Sequence, residues 1–466
     1  MRRGRRLAVA VAVAVVAGVG SAGVAAPTPP GSVRLGPLLR VQTPGGTPIS
    51  CPFESEPEIA HTSAGTWVGY NDDTGCPWLG SAGVNPLRLT GVTLIPAGGG
   101  PHRYITLPTD KRVQYWSGDP DLAPDPSGNG GVLLASLVGT PNGTQLAIAR
   151  IPPKGPATLL PSPSLGASDD KEYLATDTGA RSRFRGRTYL VWDDFASGKI
   201  TVRTFYRGSW TEALKLGDVA GQPDVAVAPN GDVAIAYSTD TGVAVQVSKD
   251  GGASFSSRTT VLKGKGPGRD DPSCPLRPTI AQRQRANKSP HVAWDARGRL
   301  HVVASLNTTG TLPVTATGTA GAATGGEGSI LHTVSSNRGA TFSRQDVVGS
   351  AETTEVQWAP AIAALPDGGV AVSYLQTADT TSYDAFVAVE PLGASRFRTP
   401  VVLSDGHGPM PAATEGVGNS NCYGIGDYTG LAPTADGVIA DWPTTVGVET
   451  AFLDSDIAVR QVHITR

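Results

Sequence analysis

Apolar and polar residues alternate in short bursts along most of this chain, and the bursts come in pairs. The clearest pair is QPDVAVAPNGDVAIAYS, Gln222 to Ser238, where two alternating runs flank Asn230-Gly231. A period of two sends successive side chains to opposite faces of a strand, and an Asn-Gly step is a tight hairpin turn. The phrase recurs seven times, at steps of about 50 to 70 residues. The other copies begin at Glu56, Asp119, Asp170, Ser289, Ala359 and Tyr428.

One such hairpin cannot bury its apolar face, whereas a ring of them can. The repeat therefore predicts an all-β fold, a β-propeller of six or seven four-stranded blades. In the fourth repeat, Pro223 to Ala228 reads as the inner strand and Asp232 to Ser238 as the second. Val243 to Val247 reads as the third, and the fourth starts at Phe255. Val33 to Gln42 and Asp456 to Thr465 are also strand-like. They predict an N-terminal strand that completes the last blade and locks the ring, since closure removes exposed edges.

The chain opens on the basic MRRGRR, then an apolar run, then small residues through Ala26. Residues 1–26 read as a signal peptide, so the protein is expected to be secreted. Residues 27–50 are a leader carrying the ring-closing strand, and 51–466 a single propeller domain. No later segment is apolar enough for a membrane span in the mature protein. A formal charge of −2 disfavours nucleic acid. Lysine and arginine are scattered, so no groove for an anionic polymer stands out. Cys51, Cys76, Cys274 and Cys422 form an even set, as in an exported chain. They predict two disulfides among three pairings, with Cys51–Cys76 first because the two flank one hairpin. Neither cysteines nor histidines show metal-ligand spacing, so neither metal nor cofactor is expected. A monomer is expected.

In a propeller, the starts of the inner strands and the loops between second and third strands share one face. The residue eight positions before each hairpin turn should ring the mouth of the axial channel. It is Glu56, Asp119, Asp170, Gln222, Ser289, Ala359 and Tyr428 in blade order. Companion segments add Asp72, Asp73, Trp192, Asp193, Trp358 and Tyr423. Aromatic rings stack on the C–H faces of sugars while carboxylates hold hydroxyls, so the expected partner is a glycan or glycoconjugate. The plainer alternative is that these acids are solvated and cap turns.

The turn SKDGGASF supplies Ser248, Asp250, Gly252 and Phe255, which match the Asp-box, S-x-D-x-G-x-x-[F/W]. SSNRGATF keeps Ser335, Gly339 and Phe342, with Asn337 in place of Asp. On these residues the chain resembles the secreted Asp-box (BNR) repeat propellers of the sialidase/neuraminidase superfamily, over nearly its whole mature length. The resemblance implies exo-α-sialidase chemistry: three arginines on the substrate carboxylate, a tyrosine nucleophile activated by a glutamate, and an aspartate acid/base. Tyr428, in YTGL, resembles the nucleophile, and Asp72 or Asp73 occupies the loop of the acid. The first-blade Arg-Ile-Pro of the family is here Ser55-Glu56-Pro57, and its late Glu-Pro is Ala359-Pro360. Arg181, Arg183, Arg185 and Arg187 fall in an inserted turn on the opposite face. Arg112, Arg277, Arg283 and Arg285 are the arginines able to reach the mouth, with Arg285 a ligand-binding candidate.

Three readings stay open: a sialidase with an incomplete catalytic set, another glycosidase using two of Glu56, Asp72, Asp119 and Asp170, or a non-catalytic propeller binding carbohydrate or protein at the cell surface.

Overall fold

The computed structural model describes residues 31–41, 54–72, 89–219, 221–266, 288–307, 328–349, 356–378, 382–409, 426–447 and 454–465. They form seven antiparallel sheets, one for each repeated hairpin, arranged as a seven-bladed propeller. Each inner strand packs beside the next: Glu54–Thr62, Asp121–Pro124, Asp169–Thr176, Asp224–Val227, His291–Trp294, Gln357–Ala364 and Leu431–Thr434. No repeat is a stray decoration.

Alternation explains why the sheets stack. In the second strand of blade 2, Val132, Leu134 and Val138 enter the core shared with blade 1. Leu133, Ala135 and Leu137, one residue out of phase, enter the core shared with blade 3. The same division recurs around the ring. There are seven apolar clusters among the described residues, one at each blade-to-blade interface. Every blade is thus covered on both faces, which is why so few alternating positions remain polar.

The last blade is built from both ends of the chain. Leu431–Thr434, Gly437–Gly447 and Asp454–Ile464 supply three strands. Val33–Val41 adds the fourth, antiparallel to Asp454–Ile464, with Val33 opposite Ile464 and Val41 opposite Ile457. Arg460 ties the seam by donating from Nε to the Gly36 carbonyl at 2.9 Å.

Two turns between third and fourth strands share one internal bonding scheme. Ser248 Oγ donates to Asp250 Oδ1 at 2.8 Å, and Asp250 Oδ1 accepts the amides of Ala253 and Ser254. Ser335 Oγ donates to Asn337 Oδ1 at 2.9 Å, and that oxygen accepts the Thr341 amide. A short Asp or Asn side chain serves in both because Oδ1 accepts from the turn in each, while the second atom finds a hydroxyl either way: Asp250 Oδ2 accepts from Ser254 Oγ and Asn337 Nδ2 donates to Thr341 Oγ1. Gly252, at φ 84°, has no room for a Cβ, which would lie 2.6 Å from Thr204 Oγ1. The fourth strand of blade 4 runs Thr259–Lys263, later than the expected start at Phe255, because Phe255 belongs to this turn and packs on the core. No helix among the described residues is long and apolar enough to cross a membrane.

Candidate functional site: the axial mouth

The backbone marks the mouth. Glu56, Asp119, Lys171, Gln222, Ser289 and Ala359 all adopt left-handed conformations, with φ between 37° and 52°. Such angles are costly for residues with a Cβ and persist only where surroundings enforce them. Here one enforcing contact is a latch from the preceding blade. Asn71 Oδ1 accepts the Asp119 amide at 2.6 Å, and Asp193 Oδ2 accepts the Gln222 amide at 3.2 Å. Five of the six precede proline; Lys171 precedes Glu172.

This geometry corrects one expectation. In blade 3 the left-handed residue is Lys171, not Asp170. Lys171 sits in the bulge between Asp170 and Tyr173, as Glu56 sits in the bulge between Ser55 and Glu58 and Ala359 in that between Trp358 and Ala361. Asp170 stays half-buried beside it and accepts the Lys171 amide at 2.9 Å. In blade 7 the position belongs to Tyr428, and the left-handed residue is Gly426, at φ 105°. A Cβ on Gly426 would come within 2.9 Å of the Glu56 nitrogen, so glycine lets blades 7 and 1 close on each other.

Glu56, Asp119, Lys171 and Tyr428 come together at the mouth. Glu56 is held by Asn71 Nδ2 at 2.9 Å and by the Asp427 amide at 2.9 Å. Asn71 therefore grips Glu56 with one end of its amide and the Asp119 backbone with the other. Asp119 hydrogen-bonds Glu56. Burial first, then the Glu56 charge, holds the Asp119 carboxyl well above the usual carboxylate range. Two carboxyl groups in such contact titrate as a pair rather than singly. Lys171 Nζ sits 3.1 Å from the centroid of the Tyr428 ring. The Tyr428 phenol is pushed well above 10 by burial and then by the Asp119 and Glu56 charges, so it is a donor rather than a phenolate.

Below the mouth lies a buried acidic floor. Glu58, Asp121, Asp224 and Asp441 surround the axis with Tyr173 and His291. Burial raises Asp121 to about 7 and Asp224 and Asp441 to about 8. Two of these acids also stitch blades together. Asp121 accepts the Leu174 amide of blade 3, and Asp224 Oδ2 accepts the Val292 amide of blade 5 at 2.8 Å. Gly430 makes room for Asp441, whose Oδ1 would be 2.7 Å from a Cβ there. Among the described residues, Lys171 Nζ, Glu58 Oε1, both Glu172 carboxyl oxygens and Asp441 Oδ2 are buried without a hydrogen-bond partner.

Other expected site residues lie elsewhere. Trp192 is fully buried between blades 2 and 3, donating from Nε1 to Asp169 Oδ1 at 2.9 Å. Trp358 is fully buried between blades 6 and 7. Neither ring can stack on a sugar from there, because alternation turns both inward. Asp193 is a latch, raised to about 7 chiefly by burial. Asp72 is buried at the end of its strand and accepts the Tyr104 hydroxyl at 3.1 Å. Arg112 is exposed and paired with Asp110 at 2.7 Å. Asp73, Tyr423, Arg277, Arg283, Arg285 and the four cysteines lie outside the described residues. Lys171 and Asn71 are the site residues that sequence reading missed. The missing proline after Lys171 was the available signal.

No family model matches the chain, and no curated protein matches it. Solved structures similar to it include a protein of unknown function from Dyadobacter fermentans, at 13% identity and TM-score 0.44, covering 77% of this chain and 97% of that one. An ulvan lyase, of a new polysaccharide lyase family, is similar at 10% identity and TM-score 0.46, covering 88% and 95%. A mutant NanB sialidase from Streptococcus pneumoniae is similar at 10% identity and TM-score 0.41, covering 91% and 70%.

Proposed function

We propose that this chain is an exported, glycan-acting propeller whose mouth holds a sugar against Glu56, Asp119, Lys171 and Tyr428. The observation that carries the reading is the Glu56–Asp119 contact, in which Glu56 accepts from Asn71 and the Asp427 amide and burial holds Asp119 well above the usual carboxylate range. A carboxyl so raised can protonate a glycosidic oxygen, while its hydrogen-bonded neighbour, closer than the about 5–9.5 Å between the two carboxyls of a glycosidase, orients that acid rather than acting as the second group. Asp119 is the acid, and Glu56, held by Asn71 and the Asp427 amide, positions it. Tyr428 donates to a sugar hydroxyl, and the unpartnered Lys171 ammonium takes a sugar oxygen.

The described mouth favours a neutral sugar. Lys171 is the cation acting on Asp119, Glu172 and Asp193, and the surrounding acids outnumber it. The sialidase reading keeps support from the position of Tyr428 beside two carboxyl groups and from the two turns that share Asp-box bonding.

The test is release of 4-methylumbelliferone from a panel of neutral and sialic-acid glycosides, with Asp119→Asn, Glu56→Gln and Tyr428→Phe beside the parent. Release from a neutral glycoside, lost in Asp119→Asn and Glu56→Gln, is the expected result. Cleavage of the sialic-acid glycoside, lost in Tyr428→Phe, would establish the sialidase instead. Retention on a glycan array without cleavage would make it a binding module. Neither cleavage nor glycan binding by folded protein would overturn the proposal.

A further inference from the structure

On the face opposite the mouth, five arginines gather at blade 3. Arg181, Arg183, Arg185 and Arg187 come from the turn between its first two strands, Asp169–Thr176 and Thr188–Asp194. Arg207 comes from the turn after its third strand, Lys199–Tyr206. Lys249, in the adjoining turn of blade 4, sits beside them, its carbonyl accepting from Arg183 Nη2 at 3.3 Å.

Three of the five, Arg183, Arg187 and Arg207, are ordered before any ligand arrives. Arg183 and Arg187 lie 4.6 and 4.8 Å from the Phe184 ring centroid. Arg187 and Arg207 lie 5.5 and 5.1 Å from that of Tyr206. Guanidinium and ring thus alternate from Arg183 to Arg207. Arg187 Nη1 is further fixed on the Gly251 carbonyl at 2.5 Å.

Their charge is uncompensated. Arg40, Arg112, Arg150, Arg299, Arg338 and Arg460 each carry a carboxylate partner. Among the described residues, none of the five arginines at blade 3 does. The acids on the same turns are engaged locally: Asp177 by the Gly179 amide and Ser182, and Asp250 by its own turn. Like charges this close repel, and stacked, unpaired guanidinium forks present bidentate donors to an incoming carboxylate or sulfate. Holding those forks in advance lowers the ordering cost of binding.

We propose that this face is a second binding site, for an acidic polysaccharide engaged through its sulfate or carboxylate groups. The patch spans turns of two blades, more than one sugar covers. Phe184 and Tyr206 each lie beside two guanidinium groups, so neither ring is free to stack a base as a nucleic-acid surface requires. A membrane surface is disfavoured because the Phe184 ring lies under two guanidinium groups and offers nothing to insert.

Heparin is the probe. The parent should be retained on immobilised heparin and elute with salt. The double variant Arg181→Gln/Arg185→Gln removes two exposed charges and should leave the thermal midpoint unchanged. It should weaken heparin binding about tenfold and flatten the salt dependence by roughly two charges. Glu56→Gln should bind heparin as the parent does. Absence of retention, equal binding by the double variant, weakened binding by Glu56→Gln, or equally tight binding of duplex DNA or phosphatidylserine vesicles would each overturn the proposal.

Discussion

The Lys171 ammonium lies 3.1 Å from the centroid of the Tyr428 ring, joining blade 3 to blade 7 across the propeller axis. It has no hydrogen-bond partner among the described residues, where the ring's π face is its main local compensation beside the surrounding carboxyl charges.

Tyr428→Phe keeps that face and should leave thermal stability close to the parent's. Tyr428→Ala removes it, leaving a cavity and a buried charge, and should cost about 3–5 kcal/mol. Urea unfolding of the two variants separates the outcomes. Equal stability would mean the contact contributes nothing.

Stability should fall as pH rises from about 6.5 to 8. Asp224 and Asp441 titrate near 8 in the folded chain, far above their unfolded values. The folded state then binds more protons than the unfolded one, so stability is lost as pH rises through the folded pKa. His291 and His301, lowered to about 3 and about 4 chiefly by burial, act oppositely but only as pH falls below about 6.5. Asp441→Asn keeps the acceptor for the Gly430 amide and should flatten the upper limb in a series of thermal melts. An unchanged slope would show that Asp441 ionises freely.

The blade 3 to blade 4 latch predicts a graded response. Asp193→Ala leaves the amides of Gly221 and Gln222 without their acceptor and should cost about 1–3 kcal/mol. Asp193→Asn retains an acceptor and should cost less. Denaturation midpoints that rank the two equally would remove the latch from the account.

Deleting residues through Val41 should destabilise the whole ring, since Leu38 and Val41 pack in the cores flanking blade 7 and their strand covers Asp454–Ile464. The expected readouts are a lower melting temperature and aggregation through the bared edge. A deletion variant that melts like the parent would make the strand dispensable.

Much of the architecture was legible because each hairpin carries its own turn and its own alternation. Gln222 to Ser238 needs no tertiary information to read as two strands. The mouth was legible where the left-handed residue is followed by proline, as at Glu56 and Asp119. It slipped by one at Asp170, where the proline is absent and an inserted turn upset the count. Trp192 and Trp358 misled for a different reason. Near a strand end the period of two says that a side chain faces one side or the other, but not whether that side is a neighbouring blade or the mouth. Asn71 gave no signal because its role depends on two residues from different blades.

The seam of the last blade also sets an order of events. Val33–Val41 is made before every other described strand of the propeller, yet its partner, Asp454–Ile464, is made after all of them. The ring cannot close until that last strand has emerged, and until then the first-made strand must wait with its hydrogen-bonding edge unmet.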